Sequence, residues 1–109
     1  MENKRIGQLK QFLEQSPGDA FLRYALAIEY VGMSRDETAR EILEQLMQSD
    51  PEYHATYYHL GKLYERAGLY ESALDTYRKG IGVTRGRKEH HALRELQNAL
   101  NELSFELED

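Results

Sequence analysis

Apolar side chains recur at three- and four-residue steps along most of this chain, which is the spacing of one face of an α-helix. Between positions 54 and 87 this pattern occurs twice, and a break at Gly68 separates the two runs. Glycine tolerates the left-handed conformation in which many helices end. The pattern therefore predicts two antiparallel helices joined by a tight turn, with these core positions: Tyr57, Leu60, Gly61, Tyr64, Tyr70, Ala73, Leu74, Tyr77, Gly80 and Ile81.

The same pattern is present 34 residues earlier, between positions 20 and 53. A fixed internal period of this length indicates one helix pair stacked on a copy of itself. The positions in register are Leu26-Ala27 with Leu60-Gly61, Tyr30 with Tyr64, Ala39 with Ala73, Leu43 with Tyr77, and Leu46 with Gly80.

Together these residues resemble the tetratricopeptide repeat, a family with Leu-Gly-x-x-Tyr on helix A, a turn glycine, and alternating aromatic residues and alanines on helix B. The second repeat matches this pattern nearly throughout. In the first, Arg23 stands where an aromatic residue is usual and Ser34 replaces the turn glycine. The resemblance implies an all-α, right-handed superhelical stack of antiparallel helix pairs, and a non-catalytic scaffold that binds proteins.

Small residues occupy the positions where the helices of such pairs cross. A larger side chain there would push the helix axes beyond the roughly 8 to 10 Å of close packing. The stripe is therefore interpreted as core packing rather than as a cofactor site, and it comprises Ala27, Ala39, Gly61, Ala73 and Gly80.

The flanking segments extend the array to six helices in a single domain, residues 1–109. Upstream, an apolar face is formed by Ile6, Leu9, Phe12 and Leu13. Downstream, a strict 34-residue period would bury His91, Arg94, Glu95 and Asn98, whereas a 36-residue spacing buries Leu93, Leu96, Leu100 and Leu103. The predicted parts are a half-repeat over 4–16, repeat one over 20–53, repeat two over 54–87, a capping helix over 89–104 and a fraying acidic tail over 105–109.

Local sequence also suggests where helices begin. Ser34 followed by Glu37 has the spacing of a capping box at a helix start. Pro17 and Pro51 each follow a residue able to cap, Ser16 and Asp50, so proline is predicted at the first helical position.

Composition narrows the functional classes. The chain has no cysteine, its start lacks the apolar segment of a signal peptide, and no run approaches the roughly 18 apolar residues of a membrane span. A net charge of −5 argues against a general nucleic-acid binder. We expect a cytoplasmic protein with no nucleic-acid, membrane or small-molecule ligand.

One stretch is nevertheless basic, with Arg78, Lys79, Arg85, Arg87 and Lys88 close together. Cations are favourable near a helix C-terminus, which is one interpretation of this stretch. A patch that meets an acidic or phosphorylated partner is the other.

Candidate catalytic chemistry is sparse. No two of the four histidines have the four-residue spacing of a helical metal pair. No nucleophile elbow or phosphate-binding glycine loop is present. We predict no enzyme, no cofactor and no metal, and we keep a metal-dependent or enzymatic role built on His59, His91 and Glu95 as a remote alternative.

Binding is the remaining function. Stacked repeats bind partners on the concave face that their A helices form. That face is predicted to hold Tyr24, Ala25, Ile28 and Val31 in repeat one, Ala55, Tyr58, His59, Lys62 and Glu65 in repeat two, and His91, Arg94, Glu95 and Asn98 on the capping helix. The basic clamp with which some relatives hold a C-terminal carboxylate is absent, since Tyr24, Ile28 and His59 take its places. A peptide with apolar anchors fits better.

A second hypothesis starts from the helix between Phe21 and Val31, which is apolar on nearly all sides. Such a surface, together with the uncovered half-repeat at the N-terminus, is typical of an interface. The occupant could be a second copy of the chain, which would make the protein a homodimer or scaffold; self-association and peptide binding do not exclude each other.

Overall fold

The computed structural model describes residues 3–108, which form six α-helices with no strand in that range. The helices are α1 (Lys4–Gln15), α2 (Ala20–Gly32), α3 (Asp36–Ser49), α4 (Ala55–Arg66), α5 (Tyr70–Gly86) and α6 (His90–Leu107). The predicted all-α class and helix number are confirmed. Asp109, the last residue of the predicted acidic tail, lies outside the described residues.

The chain divides into two compact units, with the boundary between Asp50 and Pro51. In the first unit, α2 packs against both α1 and α3. In the second, α5 packs against both α4 and α6, and a smaller contact joins α4 to α6. Each unit thus contains a complete helical hairpin, α2–α3 or α4–α5, with one additional helix beside it.

The core of the first unit follows the predicted apolar face. Its buried side chains are Ile6, Leu9, Leu26, Ala27, Tyr30, Ala39, Leu43 and Leu46. Phe12 was predicted on the same face of α1, but its side chain is 59% exposed. The helix is only 12 residues long and Phe12 lies in its last turn, where the chain turns away towards α2.

In the second unit, two glycines allow aromatic rings to enter the helix crossings. A Cβ atom at Gly61 would lie within 2.7 Å of Cδ1 and Cζ of Tyr77, and one at Gly80 would lie 2.5 Å from Tyr57 Cβ. Both rings are buried, and the other buried apolar side chains of this unit are Leu60, Leu63, Ala73, Leu74, Leu96, Ala99 and Leu103. Tyr70, predicted in this core, is 45% exposed because it is the first residue of α5.

The turns inside the two hairpins have the same geometry. Ser34 adopts φ +60° and Gly68 adopts φ +77°, both in the left-handed region. The next amide in each turn reaches back to a tyrosine carbonyl: Arg35 N donates to Tyr30 O at 2.9 Å, and Leu69 N donates to Tyr64 O at 2.8 Å. The capping-box prediction is therefore wrong, because Ser34 takes the place of the turn glycine and α3 has no side-chain cap.

The prediction for the two prolines is also wrong. Ser16 and Asp50 are the residues that end α1 and α3, and Pro17 and Pro51 lie in the turns that follow. A proline just after a helix end is common because it cannot continue the helix. The helix α2 is instead capped by Asp19, whose side chain accepts a 2.9 Å hydrogen bond from Leu22 N.

The last helix has the predicted 36-residue offset. Leu96 and Leu103 are buried, Leu93 and Leu100 are half-buried, and His91, Arg94, Glu95 and Asn98 are exposed. Lys88 adopts φ +60° in the turn that makes this offset possible. Helix α6 continues to Leu107, three residues beyond the predicted end of the capping helix, so most of the predicted tail is helical.

Candidate functional site

The first unit has a surface pocket of about 390 Å³ on α2, which we call the α2 pocket. Phe21, Tyr24, Ala25 and Ile28 lie on one helical face at three- and four-residue steps and form its apolar part. At its edge, Arg5 Nε lies 2.9 Å from Glu29 Oε1. The pocket therefore offers an apolar surface beside one paired cation and carboxylate.

The second unit has a smaller pocket of about 210 Å³ between α4 and α6, the α4–α6 pocket. Helix α4 contributes Tyr58 and Lys62, and helix α6 contributes the remaining lining residues: Glu95, Asn98, Ala99 and Glu102. The Lys62 ammonium lies 5.5 Å from the centroid of the Tyr58 ring. This second pocket is polar where the α2 pocket is apolar.

Five of the eight residues named for the concave face line one or the other of these two separate pockets. Tyr24 and Ile28 line the α2 pocket, and Tyr58, Lys62 and Asn98 line the α4–α6 pocket. Val31, His59 and Arg94 line neither pocket. The concave-face site itself stays a prediction.

Sequence reasoning missed several lining residues. Phe21 and Glu102 had a usable signal, because Phe21 is three residues before Tyr24 and Glu102 is four after Asn98, on the same helical faces. Arg5 had none, since it reaches the α2 pocket only through the packing of α1 on α2.

His59 does not line the α4–α6 pocket, but its pKa is affected by Glu95, which does. Burial lowers the pKa of His59 below its usual value, and the nearby Glu95 carboxylate acts in the opposite direction. The burial effect is the larger one, so His59 favours its neutral form. Next to it, the rings of Tyr58 and His59 meet edge to face, with centroids 5.5 Å apart.

The five residues of the predicted basic patch do not act as a set of unpaired cations. Lys79 Nζ lies 3.2 Å from Asp75 Oδ2, and Arg87 Nη1 lies 2.9 Å from Glu52 Oε2. Both cations line a third pocket, on α5. Arg78, Arg85 and Lys88 are exposed and do not line it. The patch as a binding surface stays a prediction.

The side chains of the remote metal hypothesis are not gathered into a site. His91 Nε2 lies 3.7 Å from Glu95 Oε2, across one turn of α6. Within residues 3–108, no group of three or more His, Cys, Asp or Glu side chains is placed to hold a metal ion. In the same range, no helix combines the length and apolarity needed to cross a membrane.

Comparison with known proteins gives a consistent result. The profile of a family described as tetratricopeptide repeat matches residues 30–96. A TPR repeat-containing protein of Pseudomonas aeruginosa is 28% identical over 98 residues, which are 90% of this chain and 93% of that protein.

Two solved structures are also similar. The crystal structure of a tetratricopeptide repeat domain protein from Salinibacter ruber shares 44% identity with a TM-score of 0.78, covering 79% of this chain and 96% of that one. The solution structure of protein BPP2914 from Bordetella parapertussis has a TM-score of 0.80 at 24% identity, covering 97% of this chain and 91% of that one. At that identity the second likeness concerns the fold alone.

Proposed function

The chain belongs to the tetratricopeptide repeat family, whose domains are generally protein-binding modules, and from that membership we propose that it is a non-catalytic protein that binds a peptide or protein partner. The binding residues in this proposal lie on α2 and α4, the A helices of the two repeats. The α2 pocket is the observation that carries it. An apolar pocket with a few polar groups at its edge is the usual form of a site for an anchoring side chain.

The chemistry of the α2 pocket favours an apolar anchor. Four of its six lining residues are apolar or aromatic, and its two charged residues, Arg5 and Glu29, already pair with each other. A charged side chain entering there would lose hydration and meet no unpaired opposite charge. A Leu, Ile, Phe or Tyr side chain of the partner would bury apolar surface instead.

Selection from a random-peptide display library tests this proposal. Peptides selected on the wild-type chain should lose about tenfold or more in affinity for the Tyr24→Ala, Tyr58→Ala variant, because truncation of a buried aromatic anchor commonly has an effect of that size. Fluorescence anisotropy measures the affinities, and circular dichroism checks that helicity is unchanged.

The matched control removes two aromatic side chains that line neither pocket. Tyr70 is 45% exposed and Phe105 is 72% exposed, so the Tyr70→Ala, Phe105→Ala variant loses similar aromatic surface elsewhere. The control should retain affinity. If the Tyr24, Tyr58 variant also retains it, or if no peptide is selected, the proposal is wrong.

A second candidate function is self-association through the terminal helices. It is favoured by large exposed side chains on α1 and α6, since Phe12 is 59% exposed and Phe105 is 72% exposed. Exposed aromatic surface of this kind is typical of interfaces. Sedimentation equilibrium across a concentration series should then show a dimer that the Phe12→Ser, Phe105→Ser variant loses. A monomer at every concentration would exclude this role.

A further inference from the structure

The α4–α6 pocket carries an excess of negative charge. Among its lining residues, Glu95 and Glu102 are acidic and Lys62 is the one basic residue. A third carboxylate lies beside it, since Glu65 Oε2 is 3.7 Å from Lys62 Nζ. Three carboxylates and one ammonium group therefore lie in or beside this pocket.

The charge of Lys62 is directed back onto its own helix. Its ammonium lies near Glu65, one turn further along α4, and over the face of the Tyr58 ring. A cation above an aromatic ring is attracted by the negative charge density of the ring face. Lys62 is thus partly neutralised within α4, while Glu95 and Glu102 extend from α6 on the other wall.

The influence of this negative charge is visible at a neighbouring buried group. The pKa of Tyr77 is raised above its usual value, first by burial, then by its hydrogen bond to Glu65 and the negative charges around it, that of Glu102 among them. The Tyr77 hydroxyl donates to Glu65. Glu65 of α4 and Glu102 of α6 therefore both act on the same buried hydroxyl group.

The rest of the lining suits a long, cationic side chain. Asn98 comes three residues after Glu95, and Glu102 comes four residues after Asn98. All three therefore lie on one face of α6. Ala99 is 4% exposed, and its small side chain leaves room for a methylene stem between the polar groups. Carboxylates and an amide oxygen are groups with which proteins recognise guanidinium and ammonium ions.

We propose that the α4–α6 pocket binds a Lys or Arg side chain of the partner, with Glu95 and Glu102 as its counter-ions. The inference rests on the proposed function, because it names the chemistry of one side chain in the same partner. An acidic partner residue at this position would instead meet two like charges.

The test uses the random-peptide display library as its probe, selected in parallel on the wild-type chain and on the Glu95→Gln, Glu102→Gln variant. Wild-type selection should enrich Lys or Arg at one position, and the variant should select peptides without that enrichment. Replacing the selected Arg by citrulline, which has the same shape without the charge, should weaken binding to the wild type by about three- to tenfold. The same replacement should leave binding to the variant unchanged.

The matched control changes the net charge equally in the other unit. Glu14 and Glu41 are exposed residues of α1 and α3, and neither lines a described pocket. The Glu14→Gln, Glu41→Gln variant should keep the wild-type preference for Lys or Arg, which separates the pocket from a general effect of charge.

The outcomes distinguish this inference from the function on which it rests. Peptides selected without a basic preference, or a preference that survives in the Glu95, Glu102 variant, would overturn the assignment of the pocket and leave peptide binding intact. Selection of no peptide at all would overturn both. Binding that weakens with added salt is a further expected result, because exposed charge pairs are screened.

Discussion

The hairpins α2–α3 and α4–α5 share one register but fill their helix crossings with different side chains. In α4–α5, the missing side chain of Gly61 leaves space for the ring of Tyr77. Thirty-four residues earlier the same positions hold Ala27 and Leu43, and both are fully buried. Ala27 is larger than Gly61 and Leu43 is smaller than Tyr77, so the two pairs have similar summed volumes. The comparison indicates that the crossing requires a total volume rather than a particular residue.

A second crossing shows the same exchange with a change of chemistry. Gly80 and Tyr57 of the second unit correspond to Leu46 and Arg23 of the first. The larger Leu46 fills the core, and Arg23 reaches the end of α3, where its Nη1 donates to Ser49 Oγ at 2.8 Å. A cation is favourable at a helix C-terminus. Arg23, the residue that departs most from the family pattern, is thus accommodated by Leu46 and Ser49.

The largest expected effect comes from breaking the Gly61–Tyr77 pair. Gly61→Ala should lower the free energy of unfolding by about 2 to 3 kcal/mol, since overpacking outweighs the helix propensity gained with alanine. Adding Tyr77→Leu recreates the Ala27 and Leu43 pair of the first hairpin. The double variant should then be more stable than the sum of the single changes predicts, by about 1 to 2 kcal/mol. Urea unfolding followed by circular dichroism measures all three variants.

The reciprocal change in the first hairpin serves as the control. Leu43→Tyr should destabilise by about 1 to 3 kcal/mol, and Ala27→Gly should relieve part of that loss. If the changes in unfolding free energy of the two substitutions are strictly additive in either hairpin, the two side chains do not fill one shared volume. The comparison between the hairpins would then be wrong.

A smaller effect is expected at the turns, where the hairpins differ by one residue. Gly68→Ser should lower the free energy of unfolding by about 1 kcal/mol, because a residue with a Cβ atom is strained at positive φ. Ser34→Gly should raise it by about 0.5 to 1 kcal/mol for the same reason. Thermal and urea unfolding would detect both changes. A stabilising Gly68→Ser would show that the turn conformation is not what limits this position.

The smallest expected effect is a difference in pH dependence. His59 corresponds to Ala25 of the first hairpin, and burial lowers its pKa in the folded state. Below the unfolded value of about 6.5, the unfolded chain binds a proton that the folded chain does not, so stability falls as the pH decreases. The His59→Ala variant should lose less stability than the wild type between about pH 7 and pH 5, by under about 1 kcal/mol. Equal slopes for the two proteins would contradict this.

The candidate site was less predictable than the fold. Tyr24, Ile28, Tyr58, Lys62 and Asn98 could be named because helical periodicity shows which residues point away from the core. The chemistry of the two pockets could not, since it depends on which residues of α1 and α6 lie across from them. The pairing of Arg87 with Glu52 is a similar case, because 35 residues separate the two in sequence.

The sequence by itself determined the six helices, the 34-residue register and the positions where only small residues fit. These properties are local or periodic, so they can be read from the spacing of apolar residues. Only the tertiary structure decided that Ser34 adopts the left-handed conformation, that Tyr70 and Phe12 are exposed, and that Glu102 joins Tyr58 at one pocket. The shared pocket depends on how α4 and α6 pack together, and the other outcomes depend on where each helix begins or ends. Periodicity along one helix contains neither kind of information.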